Sequence, residues 1–218
     1  MSHSRPGPET AAVFALLLAI VWRAGDWLPI AESTADKVNG ALVLVVAGVV
    51  LFAWGRAGTG LRDLGLAPSQ WRRGWGSIAL ATAVGVAALA LAGARLGTVS
   101  FAEARLDWLD RYTLGIAAQQ LLLNGFFAPR FAAFSGGRRA AAVALSAGAF
   151  AALHAPNPAL MIGTAIAAAV WAAHFLAHRN LLAVLLSHLV LGVAAMVALG
   201  PGPMLNLRVG PGALELLH

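Results

Sequence analysis

The feature that most constrains this chain is a succession of apolar stretches of membrane-spanning length, joined by connections too short to fold by themselves. About 20 apolar residues cross the hydrocarbon core of a bilayer, and such stretches lie near 11–28, 38–54, 75–95, 113–133, 140–155, 159–177 and 181–199. Of the 218 residues 60% are hydrophobic and 11% charged, and mean hydropathy is +0.78. Soluble domains carry roughly one-quarter charged residues. The pattern predicts an all-α fold, a multi-pass transmembrane helical bundle of about seven spans, eight at most, in a single integral-membrane domain over 1–218. There are no cysteines, so disulfide and thiolate chemistry do not arise.

The formal charge of +6 does not point to nucleic acid, because the basic residues sit in connections beside apolar runs and form no stripe on a soluble face. Topology explains them. With a cytoplasmic N-terminus, the inner side receives Arg5, Arg56, Arg62, Arg72, Arg73, Arg130, Arg138, Arg139 and Arg179, nine of the fifteen basic residues. The outer side receives Arg23, Lys37, Arg95, Arg105, Arg111 and Arg208. That bias obeys the positive-inside rule and predicts a C-terminus outside. Residues 1–10 lack a basic cluster and a small-residue cleavage site, so no cleaved signal peptide is expected. The segment 200–218, with Gly-Pro-Gly-Pro at 200–203 and Gly-Pro-Gly at 210–212, is too short and too broken to span. The loop 55–74 mixes Leu61, Leu64, Leu66 and Trp71 with four arginines; it reads either as a basic connection or as a segment lying in the headgroup plane. The third stretch, almost all Ala, Val, Leu and Gly, reads as packing scaffold.

Polar groups at bilayer depth cost free energy and usually face the bundle interior, which makes them functional candidates. Three clusters qualify. In the fourth stretch Gln120 and Asn124 stand at i and i+4 and share a face, with Gln119 about a quarter-turn away. At the end of the fifth, Phe150-Ala-Ala-Leu-His154-Ala-Pro-Asn-Pro158 carries a histidine to a helix end stopped by two prolines, which free backbone carbonyls nearby. His188, preceded by Ser187, lies in the last stretch. Taken alone, each residue reads first as a hydrogen-bonding tie between helices, worth about 0.6 to 2 kcal/mol. Together they suggest one watery pocket. His174 and His178 form a further i, i+4 pair, expected to be solvated at the inner boundary; a two-histidine metal site is the alternative and lacks a third ligand. Asp26 and Arg23 have the i, i+3 spacing of an ion pair.

Order and spacing of the two histidine segments resemble the CPBP family of intramembrane proteases, which includes the CAAX prenyl endopeptidases and the abortive-infection or bacteriocin-processing relatives of bacteria. That family has Glu-Glu-x-x-x-Arg on one helix, Phe-x-x-x-His on a second and a histidine on a third, often followed four residues on by Asn or Asp. Phe150 with His154, and His188 with its lead-in Asn180-Leu-Leu-Ala-Val-Leu-Leu-Ser, fit the last two; the resemblance covers roughly 60–195. It implies an intramembrane endopeptidase acting on hydrophobic or lipidated peptides beside membrane lipid, in a bacterial cell membrane. The implied site is Gln119, Gln120, Asn124, Phe150, His154 and His188, with Asn157 against the substrate. The glutamate-type mechanism implies no cofactor; zinc held by the histidines is the alternative.

The chain departs from the family where it matters most. Gln119 and Gln120 replace the glutamate pair, Asn124 the arginine, and Gly192 the final Asn or Asp. An amide does not protonate usefully near neutral pH and cannot serve as general base, and no Asp or Glu occurs between Arg111 and Leu214. Losing both acids and their balancing arginine leaves a neutral set that is cheaper to hold in a bilayer. Two functions stay open: a peptidase using His154 or His188 to activate water, and a binding, chaperone or immunity-type factor that keeps the cavity without proteolysis, a pseudoenzyme.

Overall fold

The computed structural model describes residues 7–24, 28, 31–101, 109–200 and 202–217. Among them the fold is entirely helical: α1 (Pro8–Val21), α2 (Glu32–Ala57), α3 (Trp75–Leu96), α4 (Leu109–Gln120), a π-helical segment (Leu121–Phe127), α5 (Ala128–Phe134), α6 (Arg139–Ala152), α7 (Pro158–His178), α8 (Leu181–Leu199) and α9 (Pro211–Leu217). Helices α2, α3, α7 and α8 are long and apolar enough to cross a membrane, while α1 and α6 are shorter apolar helices. With their outward residues Leu44, Leu51, Phe52, Leu80 and Ile162 exposed, they present the apolar exterior of a helical membrane bundle. Each apolar stretch falls on a helix, with shifted ends: α1 stops at Val21 and α2 starts at Glu32. Asp26 lies outside the described residues, and Arg23 pairs with Asp36 at 2.9 Å.

Of three apolar clusters among the described residues, one packs α7 and α8 against Met204 and two tie helices to the π segment. One joins α1 and α2 to the π segment through Val13, Val46, Val50, Phe126 and Phe127. The other gathers Ile78, Leu123, Phe150, Trp171, Phe175, Leu181 and Val184 from α3, the π segment, α6, α7 and α8. Helices α3 and α8 lie close because Gly93 has no side chain: a Cβ there would stand 2.5 Å from the Ala198 carbonyl oxygen and 3.0 Å from its Cα. This matches the small-residue packing expected of the third stretch.

The π segment loosens the ordinary i→i−4 ladder and leaves carbonyls to be satisfied from outside. Trp54 Nε1 donates to Gly125 O at 3.3 Å, and Arg130 Nη1 to Phe126 O at 3.0 Å, its guanidinium 3.8 Å from the Phe126 ring centroid.

Helices α7 and α8 begin alike. Asn157 caps α7 by accepting from Leu160 N at 3.1 Å, and Asn180 caps α8 by accepting from Ala183 N at 3.1 Å. Each also spends both amide hydrogens on a connecting segment. Asn180 donates to Trp71 O (3.0 Å) and Arg73 O (2.9 Å), tying down the loop after α2, while Asn157 donates to Met204 O (2.7 Å) and Arg208 O (3.1 Å), tying down the segment after α8. The loop is further ordered by buried Gln70, which donates to Arg62 O at 2.9 Å, and by Leu181 N on Gly65 O at 3.1 Å.

A histidine pair in a membrane cavity

His154 lies just beyond its helix. α6 ends at Ala152, and a turn follows in which His154 N donates to Ala151 O at 2.9 Å and Asn157 N to His154 O at 3.2 Å. Its ring Nδ1 sits 2.7 Å from Phe150 O. A carbonyl only accepts, so Nδ1 carries the proton and Nε2 is left with its lone pair.

His188 is fixed differently. Gln120 Nε2 lies 2.8 Å from His188 Nδ1, and Asn124 Nδ2 donates to Gln120 Oε1 at 2.6 Å. With the amides in this orientation the donor sense runs Asn124 to Gln120 to His188. His188 then accepts at Nδ1 and carries its hydrogen on Nε2. Gln120 and Asn124 are fully buried. Their polar atoms serve the histidine and each other, save Asn124 Oδ1, which has no partner.

A plate of aromatic rings sets the plane of His188. Trp171 stacks on it with centroids 4.2 Å apart at 28°, and Phe150 meets it edge-on at 6.0 Å. Phe150 also contacts His154 at 4.7 Å and thereby stands between the two histidines. Trp171 is held in turn: Nε1 donates to Ser187 Oγ at 3.0 Å, Ser187 Oγ lies 2.7 Å from Thr82 Oγ1, and Thr82 Oγ1 donates to Ile78 O at 2.7 Å. Since the Thr82 hydrogen goes to Ile78, Ser187 must be the donor to Thr82. Trp171 and Thr82 were not singled out by sequence reasoning. An indole N–H in the middle of an apolar helix needs a buried partner, and a lone threonine in an Ala/Val/Leu/Gly helix could have supplied one; α3 is therefore more than scaffold.

His154, His188, Phe150 and Gln119 line one cavity of about 500 Å³. Tyr112, Thr82, Thr164 and Ser187 add polar atoms to a wall otherwise dominated by residues such as Leu17, Leu89, Leu122, Leu123 and Ile166. Gln120 and Asn124 stand behind His188, outside that lining, as the quarter-turn between Gln119 and Gln120 leads one to expect. Met204, Leu207 and Val209 close part of the wall, so the non-spanning tail belongs to the cavity. Asn157 does not line it. Expected against the substrate, it is consumed by the α7 cap and the tail.

His174 is buried rather than solvated: it is 7% exposed, with Nδ1 3.4 Å from Ser77 Oγ and its ring 4.7 Å from His178. The loop at Gly74 packs against both rings. Among the described residues, no three His, Asp or Glu side chains gather as a metal-ligand set.

These features define a helical membrane protein with a cavity lined by two histidines in different tautomers, one in the turn after α6 and one on α8. Residues 101–194 match the family model of the Rce1-like type II CAAX prenyl endopeptidases. That segment holds the amide pair and both histidines, and the match supports a relationship to the CPBP family. No curated protein and no solved structure matches it.

Proposed function

We propose that this chain is a CPBP-family membrane protein that binds a hydrophobic or lipidated peptide in its cavity without efficiently hydrolysing it. One observation carries the reading: Gln120, where the family has a catalytic glutamate, spends its amide on His188 and Asn124. Among the polar residues lining the cavity, the two histidines supply one acceptor, His154 Nε2, and one donor, His188 Nε2–H. A peptide bond offers the complementary pair, an N–H and a C=O. The apolar remainder of the wall suits a lipid chain or apolar side chains. The protein crosses a bacterial cell membrane seven times, with the N-terminus cytoplasmic, the C-terminus outside, and membrane lipid around it; loop arginines support this orientation.

Purified protein in nanodiscs, titrated with a fluorescent N-acylated hydrophobic peptide, tests the reading. Saturable binding without product is expected, with affinity lowered about tenfold in His154→Ala or His188→Ala, the size of one good hydrogen bond. Steady product release that disappears in His154→Ala would overturn it. That outcome would favour a second reading, supported by the His154 Nδ1 contact to Phe150 O: Nε2 is held as a free lone pair at the cavity wall, the arrangement a general base requires.

A further inference from the structure

The stretch 55–74 holds four arginines, Arg56, Arg62, Arg72 and Arg73, against a single acid, Asp63. Its ends are fixed at the membrane boundary, because α2 and α3, both long and apolar enough to span, finish at Ala57 and start at Trp75. Between them the chain is folded. Beside the ties to Leu181 and Asn180, Gln70 Oε1 accepts from Ala67 N at 3.3 Å, Trp71 Nε1 donates to Leu66 O at 3.1 Å, and Arg179 Nη1 donates to Asp63 O at 3.2 Å. Gly65, at φ 72°, lets the loop sit directly on the α7–α8 connection: a Cβ there would lie 2.8 Å from Arg179 O. This ordered surface nonetheless leaves Leu61 63% and Trp71 44% exposed, together with all four arginines. Asp63 is already engaged, its Oδ2 accepting from Gly60 N at 3.0 Å. None of the four guanidiniums has a hydrogen bond or ion pair with a described residue.

We infer that this loop is a docking surface for acidic phospholipid: the Trp71 ring enters the headgroup layer, and the adjacent Arg72 and Arg73 take the phosphodiester of an anionic headgroup, with Arg56 and Arg62 adding to the field. Several observations select that occupant. Indole rings favour the membrane interface, which accommodates both their apolar body and their polar edge. Unpaired cations at that depth meet the negative surface of an acidic bilayer, and a guanidinium matches phosphate oxygens with two parallel hydrogen bonds. Free phosphate would use the arginines but not the exposed Leu61 and Trp71. The sequence allows either a basic connection or a segment in the headgroup plane; the ties through buried Gln70 and Asn180 make it a shaped surface held at the bilayer, whatever the cavity contains.

The chain has no cysteine, so Ser69→Cys, at an exposed position of the loop, carries a single environment-sensitive fluorophore on the full chain in nanodiscs. Phosphatidylcholine discs are compared with discs holding rising fractions of phosphatidylglycerol, and inorganic phosphate is added to phosphatidylcholine discs as a third arm. A saturating fluorescence change is expected with phosphatidylglycerol and none with inorganic phosphate. Combining Arg72→Gln with Arg73→Gln should raise the phosphatidylglycerol fraction needed for half the change about fivefold or more. Arg95→Gln, which removes an exposed cation ~33 Å away at the other end of α3, should leave it within twofold. A double variant that keeps the wild-type response, a loss of equal size in Arg95→Gln, or an equal response to inorganic phosphate would each overturn the inference. None of these outcomes touches the cavity reading, which peptide binding tests separately.

Discussion

Gln120 Nε2 lies 2.8 Å from His188 Nδ1, a buried hydrogen bond across 68 positions of sequence. It decides which histidine nitrogen carries the proton, and therefore whether His188 offers the cavity a hydrogen or a lone pair.

Exchanging Gln120 for glutamate should reverse that choice. An ionised carboxylate only accepts, so the Gln120→Glu variant is expected to move the hydrogen of His188 to Nδ1 and expose a lone pair at Nε2. Nitrogen-15 NMR of labelled histidine reads the tautomer directly. Wild-type protein should give the Nε2–H form; an unchanged tautomer in the variant would reject the donor chain.

Asn124→Arg alone would place a guanidinium in a fully buried site that offers it no anion. An unpaired buried charge costs about 3 to 5 kcal/mol, so the single variant should denature markedly earlier. Adding Gln120→Glu should recover much of the loss by pairing the charges. Thermal denaturation of both variants checks this; equal instability would mean that the two side chains do not meet.

Ser187→Ala strips the Trp171 indole of its acceptor and Thr82 of its donor. A buried group left unsatisfied costs about 1 to 3 kcal/mol. Besides lowering thermal stability, the variant should loosen the stacked indole, shrinking the ring-current displacement of the His188 proton signals. A stable variant with unchanged His188 shifts would show that the stack holds without its tether.

The two asparagine caps separate by location. Asn157→Asp keeps an acceptor for Leu160 N but loses both donors to the tail, so limited proteolysis should cut near residues 202–210 sooner, with α7 intact. Asn180→Asp should instead loosen the loop near Trp71 and Arg73. Each change removes two hydrogen bonds, about 1 to 3 kcal/mol in total. Identical cleavage patterns in the two variants would contradict the assignment.

The helical content and the membrane environment were legible in the chain because they depend on local quantities: apolar length, the scarcity of charge, and the i, i+4 spacing that put Gln120 and Asn124 on one face. His154 was legible as the histidine ending a proline-stopped apolar run, and Phe150 through the resemblance; that the ring nitrogen turns back to the Phe150 carbonyl was decided by the turn after α6. What no local pattern carries is which side chains meet across helices. That Gln120 reaches His188, that Trp171 stacks on it through Ser187 and Thr82, and that Asn157 serves the tail rather than the cavity all depend on helix rotation and approach. Those were decided only when packing at the Gly93 crossing, the register change of the π segment and the asparagine ties set the helices in place, because hydrogen bonds and ring contacts need side chains positioned within an ångström, a precision that spacing along one chain does not contain.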